Sequence, residues 1–461
     1  MAVLDRFFEL SGRGTTVGRE MRGGITTFMA MAYIILLNPI ILAGAQDVTG
    51  AKLTISQLTT STALAGAIST LLMAVIGNAP LALAAGLGLN AVVAYQAAPF
   101  MTWAQAMGLV VLEGLVIIVL AVTGLRTLIM NAIPLALKHA ISVGIGLFIA
   151  LIGLVDAGFV ARGTGTPVQL GATGRLSGWP VSVFCFGLLL MIVLFVRRTP
   201  AAILISIAVT AVVAVLVNSL ATVEPGAWGV VTPRVPESLV SAPDFGLVGE
   251  VDLLGGFARA GVLTATVVLF TLVLSGFFDA MGTIIGVSDE AGLVDERGRV
   301  PRLGRILTVD GVAGMVGGAV SSSANTVFVE SAAGVGEGAR TGLASLFTGA
   351  LLGLTLLFTP LAAVVPAAAA APALVLVGAL MMMQSRNVPW QDLELAVPAF
   401  LTIALMPFTY SITNGVGAGV IVYTLIKAAR GKFSEIPWLL WVVSLLFLAY
   451  FGIGAVEGLF V

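Results

Sequence analysis

A nearly unbroken series of apolar stretches is the feature that most constrains how this chain can fold. Each stretch is long enough to cross the roughly 30 Å of hydrocarbon in a bilayer. Seven lie before a polar connection at 222–258, at 25–45, 58–77, 80–98, 104–123, 129–155, 180–196 and 200–221. Seven more follow it, at 260–287, 305–320, 322–337, 341–363, 366–385, 394–410 and 412–429. The pattern predicts an all-α polytopic membrane protein with 14 transmembrane segments.

Composition supports a lipid-solvated molecule and excludes several other classes. Charged residues make up only 10 % of the 461 residues, against roughly 25 % in soluble proteins. The net charge of −1 leaves no basic footprint for nucleic acid. The single cysteine, Cys185, excludes an intramolecular disulfide and a thiolate metal cluster. We therefore expect no bound metal and no cofactor.

The two halves of the chain repeat weakly. Residues 132–154 resemble residues 364–383, with Pro134 matching Pro366 and Gly146 matching Gly378. Seven segments per repeat is an odd number, so the second copy must insert upside down, as in many secondary transporters. The sequence thus predicts two inverted seven-segment repeats. The final apolar stretch, 437–456 within the C-terminal segment 437–461, predicts either an interfacial helix or an extra span.

The distribution of cations predicts which ends face the cytoplasm. Residues 1–24 hold four arginines and no apolar core, so no cleavable signal is expected and the N-terminus is predicted to be cytoplasmic. The connections then assigned to the outside, among them 222–258, hold Lys52, Arg162, Arg175, Arg234 and Arg259. Those assigned to the inside hold many more: Arg6, Arg13, Arg19, Arg22, Arg126, Arg197, Arg198, Arg297, Arg299, Arg302, Arg305, Arg340, Arg386, Lys427, Arg430 and Lys432.

Two interrupted segments, one in each half, are the strongest pointers to a functional site. In SSSANTVFVESAAGVGEGARTG (321–342), residues favouring extended chain run up to Glu330 and residues favouring a helix follow it. LALAAGLGLNAVVAY (81–95) has the same design, with Asn90 at the end of its glycine-rich part. Broken helices of this kind form the binding sites of secondary transporters.

Asp279 is the third candidate, since it lies alone in the apolar run LFTLVLSGFFDAMGTIIGV (269–287). An ionisable group at the bilayer centre costs at least about 2.5–3.5 kcal/mol and so indicates a proton or ligand site. The other polar groups at membrane depth are weaker candidates for a functional site. Glu113 is expected to form a structural hydrogen bond. Lys138 and His139 are expected to lie at the membrane interface, and Asp310 is expected near a helix end beside cytoplasmic arginines.

Taken together, these motifs resemble the AzgA-like branch of the nucleobase–cation symporters. The resemblance extends over nearly the whole chain. It rests on MRGGITTFMAMAYIILLNPIIL (21–42), GLGLNAVVAY (86–95), FFDAMGT (277–283), NTVFVESAAGVGEGARTG (325–342) and AVPAFLTIALMPFTYSITNG (396–415).

The resemblance implies the uracil-permease fold, in which segments 3 and 10 are broken by short β-strands and a core domain moves against a gate domain. It also implies that Asn90, Asp279 and Glu330 form the base site. Homodimers through the gate domains are common in this fold. The implied divisions are a core domain at 25–123 and 260–363, a gate domain at 129–221 and 366–430, and an extracytoplasmic connection at 222–258.

One departure from the family pattern concerns segment eight. Relatives usually carry a second acid three positions before the aspartate and a threonine directly after it, where this chain has Gly276 and Ala280. If the acid at this position carries the proton in relatives, Asp279 must carry it alone in this chain.

The predicted function is the proton-coupled import of a purine base (adenine, guanine or hypoxanthine) across the inner (plasma) membrane. Glu330 accepts ring N–H donors and Asn90 donates and accepts at another edge of the base. Asp279 and Glu330 are the candidate proton-coupling groups. The binding residues predicted beside them are Phe28 or Phe328, stacking on the ring, and Thr326.

Three other classes fit the sequence less well. An uncoupled channel needs no buried carboxylate, an anion transporter on the same fold would be opposed by Glu330, and an intramembrane enzyme would need a nucleophile–base pair. Within nucleobase transport, xanthine or uracil as the substrate and sodium as the coupling ion stay open.

Overall fold

The structure is a computed structural model that describes residues 2–124, 133–163, 165–221, 223–224, 226–236, 238–294 and 300–457. Three of the cations assigned to the inside, Arg126, Arg297 and Arg299, lie outside the described residues. So do the first residues of the predicted stretch 129–155 and the end of the segment 437–461.

The described chain is mostly helical. In the first half the helices are α1 (Ala2–Phe8), α2 (Val17–Met31), α3 (Ile34–Gly44), α4 (Ile55–Leu72), α5 (Leu87–Val92), α6 (Trp103–Thr123), α7 (Leu135–Asp156), α8 (Trp179–Val196) and α9 (Ala202–Leu220). In the second half they are α10 (Gly255–Ala260), α11 (Val262–Glu290), α12 (Leu303–Ala319), α13 (Ser331–Gly336), α14 (Gly342–Leu354), α15 (Thr359–Ala362), α16 (Ala367–Met382), α17 (Leu393–Phe408), α18 (Ile412–Ala429) and α19 (Trp438–Glu457).

Ten helical stretches in the described part of the chain are long and apolar enough to cross a membrane. The polytopic architecture is therefore confirmed at that level. Several helices begin at a side-chain cap, which satisfies backbone N–H groups that lipid cannot. Thr102, for example, forms a capping box with Gln105 at the start of α6. The stretch 437–456, for which the sequence left two alternatives, is helix α19, which packs against α11 and α18.

Short strands interrupt both predicted broken segments. β1 (Leu83–Ala85) and β4 (Asn325–Val327) pair antiparallel and are buried along their whole length. The ladder is extended by a bond from the Phe328 amide to the Ala82 carbonyl, 2.9 Å. A second, two-residue pair that the sequence did not predict joins β2 (Val160–Ala161) to β3 (Gln169–Leu170).

The helices pack as two groups. In the first bundle, α6 packs on α12 while α14 packs on α2 and α4, with β1 and β4 between them. In the second bundle, α7 packs on α16 and α17, α8 packs on α9 and α16, and α17 packs on α18. The contacts between the two bundles are sparser than those within each, and α11 lies along the boundary, touching α7 and α18.

Glycine pairs allow the closest helix contacts. Gly146 of α7 and Gly378 of α16 face one another, and a Cβ at Gly146 would lie 2.8 Å from the Gly378 carbonyl oxygen. Small residues of this kind let helix backbones approach in lipid, where packing rather than hydrophobicity drives association. Pro134 and Pro366 are the N-caps of the same two helices.

The Gly378→Ala substitution is expected to destabilise the protein, because its Cβ would contact the Gly146 carbonyl oxygen and approach the Ala150 Cβ to 2.8 Å. Overpacking of this kind costs about 1–3 kcal/mol. The matched control is Gly286→Ala in α11, where a Cβ meets no atom within 4 Å. Thermal unfolding of both variants in detergent should show a lower midpoint for Gly378→Ala only. Equal midpoints would contradict this packing.

Candidate functional site

Helix α3 positions two of the predicted site residues through side chains at its N-terminal end. Tyr33, the residue that precedes α3, donates its hydroxyl hydrogen bond to Oε1 of Glu330. Glu330 is the N-cap of α13 and lies three residues after the end of β4. The strand pairing thus sets the position of Glu330, and the buried phenol of Tyr33 fixes the orientation of its carboxylate.

Asn38 of α3, five residues after Tyr33, forms a hydrogen bond with Asn90. The Asn90 amide donates to Asn38 Oδ1 at 3.0 Å, while Asn38 donates to Thr62 Oγ1 at 2.8 Å and to the Ser322 carbonyl at 2.9 Å. Asn90 is fully buried, and its Oδ1 has no hydrogen-bond partner among the described residues. An unpaired buried acceptor costs about 1–3 kcal/mol, so this oxygen is a site at which a ligand donor would be stabilised.

Asp279 lies halfway along α11, where the exposure of the helix changes. Residues 271–277 before it are all buried, whereas Asp279 itself is exposed, as are Gly282, Ile285, Gly286 and Asp289 on the same helical face. Phe278 faces the second bundle, with the Lys138 ammonium of α7 5.2 Å from its ring centre. The exposed face of α11 therefore extends from Asp279 to the end of the helix that adjoins α12.

The opposite end of the boundary is closed by side chains. Gln96 Oε1, following α5, accepts hydrogen bonds from the Thr413 amide at 3.0 Å and from the hydroxyls of Thr413 and Ser411, at the start of α18. Beside it, Tyr95 packs edge-on against Tyr410 with ring centres 5.2 Å apart. The Thr413 hydroxyl also contacts Thr271 of α11 at 3.2 Å, so these contacts join the two bundles two turns before Asp279 on α11.

The other predicted binding residues have different surroundings. Thr326 donates to Asp310 Oδ1 at 3.1 Å, towards α12. Phe328 is buried in the apolar core. Phe28 borders an apolar cavity of about 630 Å³ between α2, α3 and α9, whose lining includes none of Glu330, Asn90 and Asp279.

Four carboxyl groups, on α6, α11, α12 and at the start of α13, act on one another electrostatically. The charge of Glu330 acts on Asp279, that of Asp279 on Asp310, and that of Asp310 on Glu113. Asp310 is the eighth residue of α12 and is buried, so the expectation that it lies near a helix end was wrong. The structural hydrogen bond expected for Glu113 is also missing at its Oε2, which has no partner among the described residues.

Sequence reasoning missed Tyr33, Asn38 and Gln96. Tyr33 and Asn38 lie in the quoted stretch 21–42, and an asparagine in so apolar a run was the available signal. Gln96 follows the first broken segment directly. A metal site has no support in the described residues, which contain no group of three His, Cys, Asp or Glu side chains suited to a metal.

Comparisons with known proteins agree on one kind of molecule. Residues 18–417 match a family described as a permease family. The guanine/hypoxanthine permease PbuG of Bacillus subtilis is 37 % identical over 96 % of this chain and 98 % of its own length. The adenine permease AdeP of Escherichia coli is 36 % identical over 97 % of this chain and 95 % of its own.

Solved structures show the same fold at low sequence identity. The transmembrane domain of the cyanobacterial bicarbonate transporter BicA has a TM-score of 0.62 and 15 % identity, covering 87 % of this chain and 97 % of that domain. SLC26A9 has a TM-score of 0.60 and 12 % identity, covering 89 % of this chain and 65 % of that one. At such identities the likeness concerns the fold alone.

The Asn38→Ala substitution is expected to destabilise the first bundle by about 1–3 kcal/mol, because it leaves the Asn90 amide and the Ser322 carbonyl without their buried partner. The control is Asn387→Ala, which removes an amide bonded to Gln384 on the exposed surface. Thermal unfolding in detergent should separate the two variants. If Asn38→Ala unfolds at the wild-type temperature, the amide chain does not support the site.

Proposed function

The chain belongs to the xanthine/uracil permease family, and from this membership we propose that it imports purine nucleobases together with protons. It is a permease and not an enzyme. The names of its relatives support guanine, hypoxanthine and adenine as the substrate class. The observation that carries the proposal is the carboxylate of Glu330, held by Tyr33 at the break in a membrane segment and electrostatically coupled to Asp279.

The chemistry of the site suits a neutral base with ring N–H groups. Tyr33 engages one oxygen of Glu330, and a carboxylate has about four lone-pair sites, so acceptor capacity for the base remains. The unpaired Oδ1 of Asn90 is a second acceptor in the same bundle. An anionic substrate would meet Glu330 and Asp279 as like charges, so the bicarbonate transporter that shares the fold is a poor guide to the substrate.

Fourteen segments in two inverted repeats would explain why several packing contacts occur twice in the structure. The antiparallel pairing of β1 with β4 is the arrangement that a two-fold axis through the pair would produce. The same axis would relate α7 to α16, whose capping prolines, Pro134 and Pro366, and facing glycines, Gly146 and Gly378, correspond in sequence. It would also relate the packing of α6 on α12 to that of α14 on α4.

Transport then proceeds by movement of a core domain (25–123 and 260–363) against a gate domain (129–221 and 366–430). The N-terminus and the arginine-rich ends of α11 and α12 face the cytoplasm of a multi-pass plasma-membrane protein, and the connection 222–258 lies outside. In this orientation the exposed face of α11 beside Asp279 would line a cleft that opens to the cytoplasm, while the Gln96–Thr413 contact closes the outer side. Any homodimer would form through the gate domain.

Glu330→Gln should weaken purine binding by roughly ten- to a hundredfold, because a hydrogen bond to a charged group contributes about 1.5–3 kcal/mol. Binding of radiolabelled guanine, hypoxanthine and adenine to the purified protein measures the loss. The control is Glu337→Gln on the surface beyond α13, which leaves the site unchanged. Near-normal affinity in purified, folded Glu330→Gln would remove Glu330 from the site.

Asp279→Asn should preserve purine exchange and abolish proton-driven accumulation, because the amide imitates the protonated acid but cannot release a proton. Both activities are measured on one preparation of proteoliposomes, as counterflow and as uptake under imposed proton or sodium gradients. If the variant loses exchange together with accumulation, Asp279 contacts the base and does not carry the proton. Wild-type uptake driven only by sodium would refute proton coupling itself.

A further inference from the structure

Glu113 occupies the centre of the first bundle with one carboxyl oxygen unpaired. It lies midway along α6 and is buried, and Oε2 has no hydrogen-bond partner among the described residues. An unpaired carboxyl at this depth is costly, so a purely structural role would need the hydrogen bond that is missing there. A structural role alone therefore does not explain the Glu113 carboxyl.

Two glycines make the space that the Glu113 carboxyl fills. A Cβ at Gly276 of α11 would lie 2.6 Å from its Oε1, and a Cβ at Gly314 of α12 would lie 2.8 Å from its Oε2. Any larger residue at either position would displace the carboxyl. The Glu113 head group thus lies beside position 276, one helical turn before Asp279 on α11.

The Glu113 carboxyl lies within about one helical turn of two other acids. Gly276 precedes Asp279 by three residues on α11, and Gly314 follows Asp310 by four residues on α12. Thr326 donates to one oxygen of Asp310 and keeps it in place. Like charges on neighbouring acids disfavour one another, so the protonation of each acid depends on that of the others.

The remaining ionisable groups on the elements packed against α6 lie at the helix ends or in the π-helical turn after α5. Besides Asp310 and Asp279, α12 carries Arg305 at its start and α11 carries Asp289 and Glu290 at its end. Arg259 is near the end of α10, and Tyr95 belongs to the turn.

We propose that Glu113 is the second acid of the coupling site and sets, through Asp310, the pH at which Asp279 takes up the transported proton. It supplies from α6 the carboxyl that a side chain at position 276 would otherwise supply from α11. Glu113 is a positioning residue in this scheme, because it acts on Asp279 through Asp310 and does not touch the base. The proposal rests on the proton coupling proposed above.

The test is the pH profile of proton-driven purine uptake by Glu113→Gln in proteoliposomes. The substitution removes the charge that Glu113 carries whenever it is ionised. The remaining acids then release protons more readily, so the midpoint of the profile should move to lower pH by about one unit, the scale of coupling between neighbouring acids. Counterflow should stay within about twofold of wild type. A purely structural role would leave the midpoint where it is.

Two further variants make the test specific. Glu20→Gln alters another buried acid of the first bundle, one whose carboxylate accepts from the Arg340 amide at 2.7 Å and the Thr341 hydroxyl at 2.8 Å. It should leave the pH midpoint unchanged. The double variant Glu113→Ser with Gly276→Asp moves the carboxyl from α6 to α11 and should restore the wild-type midpoint, whereas Gly276→Asp alone would collide with Glu113.

The outcomes separate this proposal from the one on which it rests. If wild-type uptake is not driven by protons, the proposed function fails. If wild-type uptake is proton-driven but Glu113→Gln keeps its pH midpoint, only the role of Glu113 is overturned. Failure of the double variant to return the midpoint while counterflow persists would likewise overturn it.

Discussion

The pairing of β1 with β4 is the interaction on which the rest of the structure depends. In lipid a backbone N–H or C=O without a partner costs several kcal/mol, so a membrane segment can be broken only where something else satisfies it. Each broken segment supplies the partner for the other. The pairing places Glu330 at the start of α13 and Asn90 within α5, and it leaves α3 to connect them through Tyr33 and Asn38.

Neighbouring carboxyl groups are the second constraint on the structure. Glu330, Asp279, Asp310 and Glu113 act on one another electrostatically. Like charges disfavour one another's ionisation, so the protonation of each group depends on the others. A site of this kind can couple the binding of a neutral base to a proton without any metal, provided that the proton changes the relative stability of the two transport states.

The sequence alone predicted where two membrane segments are interrupted, but not which residues contact those interruptions. Extended-chain residues before Glu330 and the glycine-rich run before Asn90 predicted interrupted segments, because propensity and the cost of a buried acid are local properties. Tyr33 and Gln96 could not be predicted, because their roles depend on contacts with Glu330 and Thr413 about 300 residues away. Asp310 was misplaced since neighbouring arginines suggested a helix end, whereas α12 begins seven residues earlier and buries it. The position of the Glu113 carboxyl between Gly276 and Gly314 could not be predicted, because nothing local reveals the space that these glycines leave.

A structure determined with a bound purine tests the central claim most directly. We expect guanine or hypoxanthine to bind beside Asp279, at mid-membrane depth. A ring N–H should donate to Glu330 while Tyr33 keeps its hydrogen bond to the same carboxylate. The apolar cavity beside Phe28 should stay free of the base. A base bound in that cavity, or bound anywhere without contact to Glu330, would contradict the account.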